Sequence, residues 1–180
     1  MGRTALAFVS EEEFLGLPES LDKVELIDGE VLVSPSPNFF HQEVVARLAM
    51  ALRAWAAGQP GPSTVGQAPL DIRFGPSRIL QPDLFLLFAH VPFDHDGPLA
   101  RVPELCIEVL SARPSYDRFT KRLIYAEAGV KELWTVEPGY HVEAWTGDGL
   151  RHVVKVDDTL TSALLPGFSL DLESLFREGP

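Results

Sequence analysis

The stretch ELCIEVLSARPSYDRFTKRLIY, residues 104–125, decides how the rest of the chain is read. Its first part, LCIEVL, is a short apolar run of the kind that forms a buried strand, and it carries one carboxylate, Glu108. Pro114 breaks the pattern, and from Asp117 onward the residues take helical spacing. Asp117, Lys121 and Tyr125 then share one stripe of a helix. A carboxylate inside an apolar strand is costly unless a cation, a proton or hydrogen-bond donors compensate it. Glu108 therefore requires partners from elsewhere in the chain.

Working outward, the composition sets the bounds. With 180 residues, 46% of them hydrophobic and 23% charged, the chain holds enough apolar material for one substantial core, and a single domain over 1–180 is the expectation. No apolar run approaches the roughly 18 residues of a transmembrane helix. The opening MGRTALAFVSEEEF lacks the apolar length of a secretory signal, so a cytoplasmic location is expected. A single cysteine, Cys106, excludes a disulfide framework and a multi-cysteine zinc site; in its strand it reads as a small buried hydrophobe. The net charge of -11 is the opposite of the footprint of a free-standing nucleic-acid binder. Basic residues nevertheless gather between Arg101 and Arg122, where Arg113, Arg118 and Arg122 are candidates for a rim facing an anion.

Taken in order, Ser10 followed by three glutamates is a capping box and predicts a short helix to about Leu17. VELIDGEVLVS predicts a hairpin with strands near 23–27 and 30–34, turning at Asp28-Gly29. The longest helical pattern runs from about Asn38 to Gly58, with His41 on its apolar stripe. TVGQAPLDIRF and RILQPDLFLLF read as one strand each, Asp83 standing where the second enters the core. After the 104–125 unit come a strand and a hairpin in VKELWTVEP, YHVEAWTG and LRHVVKVDD, then an extended piece and a short amphipathic helix in LLPGFSLDLESLF. Such an order of elements predicts an α+β or mixed α/β domain.

The chemistry is to be sought among polar residues on apolar strands. If the strands of Asp83 and Glu108 are neighbours, their carboxylates converge on one divalent cation, and hard oxygen donors favour Mg²⁺ or Mn²⁺ over zinc. Two carboxylates and a nearby lysine suit activation of water and stabilisation of charge on a phosphoryl group, with Lys121 as that lysine. Each residue also has a purely structural reading. Asp83 serves equally as a strand-entry aspartate bonded to backbone, Lys121 as the i,i+4 partner of Asp117, Tyr125 as a half-buried helix residue and His41 as a core histidine.

ELIDGE (25–30), SPS (34–36) with HQ (41–42), QPDL (81–84), EVLS (108–111), the stripe Asp117, Lys121, Tyr125, GVKELW (129–134) and LPGF (165–168) stand in one order along most of the chain. Jointly they resemble the Uma (DUF820-like) family, grouped with restriction endonucleases in the PD-(D/E)xK nuclease superfamily. The resemblance implies a central mixed β-sheet flanked by helices, with an N-terminal hairpin. It implies Asp83 and Glu108 as metal ligands, Lys121 as the catalytic lysine, Glu30 as an acid completing the metal site, and His41, Asp117 and Tyr125 as accessory residues. The superfamily's lysine stands two residues after the second acid, and here that position is Leu110. An apolar side chain cannot position water or stabilise charge, so the resemblance places the role on Lys121.

The function implied is a Mg²⁺- or Mn²⁺-dependent endonuclease that hydrolyses DNA phosphodiester bonds. Homodimerisation follows from superfamily habit, and DNA binding by the isolated acidic protein is expected to be weak. Two other classes stand beside it: a catalytically inactive nuclease-fold module that binds nucleic acid or protein, and a structural homodimer joined through a sheet edge or hairpins. Metal binding separates the first from the others.

Overall fold

A computed structural model describes residues 8–18, 20, 22–110, 117–137 and 141–177, and of residues 117 and 118 the backbone alone. In chain order the elements are α1 (Glu11–Leu15), β1 (Lys23–Ile27), β2 (Glu30–Ser34), α2 (Phe39–Ala57), β3 (Thr64–Gln67), β4 (Ile72–Gly75), β5 (Arg78–Leu80) and β6 (Leu84–Leu87). They continue with β7 (Leu105–Val109), α3 (Asp117–Ala128), β8 (Glu132–Glu137), β9 (His141–Thr146), β10 (His152–Val156), β11 (Thr159–Thr161), β12 (Ser169–Asp171) and α4 (Leu172–Phe176).

Local chemistry accounts for most boundaries. Ser10 and Glu13 exchange the two bonds of a capping box, and the helix ends at Leu15 rather than Leu17, with Gly16 as its C-cap. Asn38 accepts from the amide of His41 and starts α2, whose buried residues Val44, Val45, Leu48, Ala49 and Leu52 form one stripe. The hairpin turns at Asp28 and Gly29, both with positive φ, which an Asp-Gly pair tolerates.

Two sheets result. The six-stranded sheet has the order β10-β9-β8-β7-β6-β3, with β7 and β8 parallel and the other neighbours antiparallel. Parallel neighbours need a crossover, and α3 lies in that connection. The four-stranded sheet is β2-β1-β5-β4. Here the structure corrects the sequence reading, because each of the two long β-patterned runs splits into two strands that serve different sheets. β3 and β6 join the large sheet, β4 and β5 the small one. Pro69 and Pro82 interrupt the two runs, and neither has an N–H for a ladder. The chain thus changes sheet at Gln81-Pro82-Asp83.

Period-two alternation sorts the large sheet's side chains. Leu84, Leu86, Leu105 and Ile107 pack with the α2 stripe, whereas Phe85, Leu87 and Cys106 pack with Ile124 and Tyr125 of α3. Glu108 follows Cys106 by two residues and faces α3. The register pairs Leu84 with Ile107, and one further antiparallel step sets Asp83 opposite Glu108 on that same face. The central mixed sheet between helices, with its N-terminal hairpin, is the architecture expected from the sequence. Among the described residues, no helix is long and apolar enough to cross a membrane.

Candidate active site

Three acids from three elements meet on the α3 side of the large sheet: Glu25 of β1, Asp83 at the entry to β6 and Glu108 of β7, all buried. Two lysines compensate them. Lys121 of α3, itself buried, lies 2.9 Å and 2.8 Å from the two carboxylate oxygens of Glu25 and 3.5 Å from Glu108 Oε1. The Nζ of Lys23, on β1, is 3.0 Å from Asp83 Oδ1, 3.7 Å from Glu108 Oε2 and 4.0 Å from Glu25 Oε1.

The oxygens of Asp83 and Glu108 divide their work. Asp83 Oδ2 accepts from the Val109 amide at 2.8 Å and lies 3.0 Å from His41 Nε2. A carboxylate only accepts, so His41 carries its proton on Nε2 in this contact. Glu108 Oε1 accepts from the Tyr125 hydroxyl at 2.5 Å. Each inner oxygen is therefore anchored by protein, while Asp83 Oδ1 and Glu108 Oε2 both face one point, which the Lys23 ammonium holds. Glu25 is tied to the sheet-changing turn, its Oε1 accepting from the Gln81 amide at 2.8 Å.

Electrostatics differ between the two acids. Burial raises the Asp83 carboxyl, but Lys23, His41 and the Val109 amide outweigh it and hold the group well below the usual carboxylate range. For Glu108 burial prevails over the attraction of Lys121 and Lys23, and its pKa is pushed up to about 7. Burial, followed by the charge of Glu108, raises the Tyr125 hydroxyl well above its usual value, so it stays a donor. Paired carboxylates with separated affinities for the proton are a mark of functional sites.

A buried acid elsewhere shows the contrast. Glu132 is also buried, but Trp134 Nε1 donates to its Oε1 at 2.6 Å and Ser162 Oγ to its Oε2 at 2.6 Å. Both of its oxygens are thus anchored by neutral donors, and no cation among the described residues pairs with them.

Of the residues named from sequence, Asp83, Glu108, Lys121, His41 and Tyr125 come together. Glu30 does not lie in the buried group: it is exposed at the start of β2, opposite Ile27. The hairpin's acid in the cluster is Glu25. The side chain of Asp117 lies outside the described residues, as do Arg113 and the side chain of Arg118. Lys23 and Glu25 were missed, although the signal was present, since KVELI places Lys23 and Glu25 on one face of a strand and Glu25 among apolar neighbours. A carboxylate at position 25 needs compensating partners for the same reason as Glu108.

The donor set fits a hard divalent cation. Mg²⁺ is commonly held by one or two carboxylates together with water and substrate phosphate, and Asp83 Oδ1 with Glu108 Oε2 supplies such a pair. Among the described residues, no group of three or more His, Cys, Asp or Glu side chains is arranged to hold a metal ion. The geometry offers these two ligands among the described residues.

Residues 11–173 match a family model, Uma2, described as "Putative restriction endonuclease". The fold is similar to the crystal structure of a protein from Anabaena variabilis, described as a putative nuclease belonging to DUF820. The two share 21% identity over 93% of this chain and 97% of that one, with a TM-score of 0.76. No curated protein sequence matches the chain.

Proposed function

Because the chain belongs to the Uma2 family, to whose model most of its length matches, and because Asp83 and Glu108 present oxygens to one cation position, we propose that it is a divalent-metal-dependent nuclease hydrolysing DNA phosphodiester bonds. The observation that carries the reading is the division of oxygens, inner ones anchored and outer ones convergent. Asp83 and Glu108 would hold Mg²⁺ or Mn²⁺. A bound divalent ion supplies stabilisation of charge on a phosphoryl oxygen and makes water a better nucleophile at neutral pH. Lys121 supplies the fixed positive charge that the Leu110 position lacks, and Tyr125 orients Glu108. Lys23, His41 and the Val109 amide keep Asp83 ionised, and the last two anchor its inner oxygen.

DNA and an endonucleolytic outcome are taken from the family's description. A second reading, the non-catalytic module, is favoured by Leu110 and by the lysine ammonium that already satisfies the two outer oxygens. One experiment separates them: Mn²⁺ and Mg²⁺ calorimetry on the native protein, Asp83→Asn and Glu108→Gln, with plasmid nicking on the same samples. Binding and nicking lost together in both variants support the nuclease. A folded native protein that binds neither ion leaves the module standing.

A further inference from the structure

Lys23 is the cation that the two outer oxygens share, and its placement differs from that of Lys121. The Lys121 side chain is 4% exposed, whereas that of Lys23 is 20% exposed and begins at the first residue of β1. A long, flexible ammonium stem at the rim can swing to solvent without disturbing the core. Building on the metal-site reading above, we infer that Lys23 is a tethered stand-in for the metal: its ammonium occupies the ion's position in the metal-free protein and is displaced when the ion binds.

Charge supports the exchange. With all three acids ionised, Glu25, Asp83 and Glu108 against Lys121 leave two negative charges unbalanced. Lys23 neutralises one of them, and a divalent ion in its place neutralises both. The ammonium and the ion cannot share the position, because Nζ already lies 3.0 Å from Asp83 Oδ1 and 3.7 Å from Glu108 Oε2 and two cations at such spacing repel. Lys23 thus keeps the carboxylates aimed in the absence of metal and lowers the affinity for it.

Calorimetry with Mn²⁺ tests this on the native protein, Lys23→Met, which keeps most of the stem, and Lys23→Gln. Removing the competitor should tighten Mn²⁺ binding by roughly tenfold or more. Equal or weaker binding in folded variants overturns the inference while leaving the metal site intact. No binding in native or variant protein overturns the metal reading and the inference with it. A second measurement needs no variant: reductive methylation of the native protein, read by mass spectrometry at Lys23 and Lys121. At a Mg²⁺ concentration that calorimetry shows to be saturating, Lys23 should react severalfold faster than without metal, while Lys121 stays protected. A Lys23 rate unmoved by saturating Mg²⁺ overturns the displacement.

Discussion

The Tyr125 hydroxyl donates to Glu108 Oε1 at 2.5 Å, joining the C-terminal part of α3 to strand β7 at a carboxylate whose proton affinity burial raises to about 7. A donor to the charged form favours that form. Tyr125→Phe keeps the ring, whose centroid lies 4.8 Å from that of Phe74, and removes only the donor. The expected loss is about 1–3 kcal/mol of stability, the usual scale for a buried charge-assisted bond, measured by urea unfolding. Without this donor Glu108 becomes harder to ionise, so the pH at which Mn²⁺ binding reaches half its plateau should move upward.

Glu108 also sets a pH dependence whose sign can be worked out. Its pKa rises from 4.5 to about 7 on folding, so the folded state favours the neutral acid. The stability this contributes is whole below 4.5 and is lost as pH rises through about 7. Asp83 works the other way, its contribution being whole above its ordinary value of 3.8 and lost on acidification through its lowered folded pKa. Thermal unfolding of metal-free protein between pH 5 and pH 8 should therefore show a melting temperature that falls with pH in the native chain. Glu108→Gln should flatten that slope, and Asp83→Asn should leave it in place. A native slope that Glu108→Gln leaves unchanged would mean that Glu108 is ionised throughout the window.

Asp83 and Glu108 were legible because each interrupts an apolar strand pattern, and their convergence needed only that β6 and β7 be neighbours. That adjacency is a long-range fact, and period-two spacing cannot state it. Lys121 and Tyr125 were legible as a helical stripe, but the stripe could not say that it points into the cluster rather than into water. Glu25 was passed over for Glu30 because the two acids flank one turn. Only burial distinguishes them, and burial depends on the β1–β5 pairing that brings Gln81 against Glu25. The split of two β-patterned runs into four strands was hidden for a related reason, since apolar alternation continues on either side of Pro69 and Pro82 while the chain passes from one sheet to the other.

Lys121 and Glu25 form a buried pair, so a loss of activity in a Lys121 variant would not by itself assign a catalytic role. Removing one member leaves an uncompensated buried charge, a cost of about 3–5 kcal/mol. Lys121→Met should show a loss of that size by urea unfolding. Combining it with Glu25→Gln should restore part of the loss, because the stranded charge is removed as well. Nicking measured on the double variant, once it is shown to be folded, then reports what the Lys121 charge does for the reaction. Additive losses in the double-mutant cycle would show that the pair is not coupled.

Arg122, named from sequence as part of a basic rim, has a structural role of its own. Its guanidinium carbon lies 5.2 Å from the ring centroid of Phe119 and 4.6 Å from that of Trp145, and Nη1 donates to the Leu150 carbonyl at 3.0 Å. It clamps α3 to β9 and to the turn before β10. Cation–π contacts at exposed sites contribute about 0.5–1 kcal/mol each, so Arg122→Ala should lower stability by roughly 1–2 kcal/mol. A half-buried guanidinium already engaged by two rings and a carbonyl has a structural task that does not need a phosphate. The slope of log DNA affinity against log salt concentration should therefore be the same for Arg122→Ala and native protein. A slope reduced by about one unit, the signature of a lost phosphate contact, would return Arg122 to the DNA-facing rim.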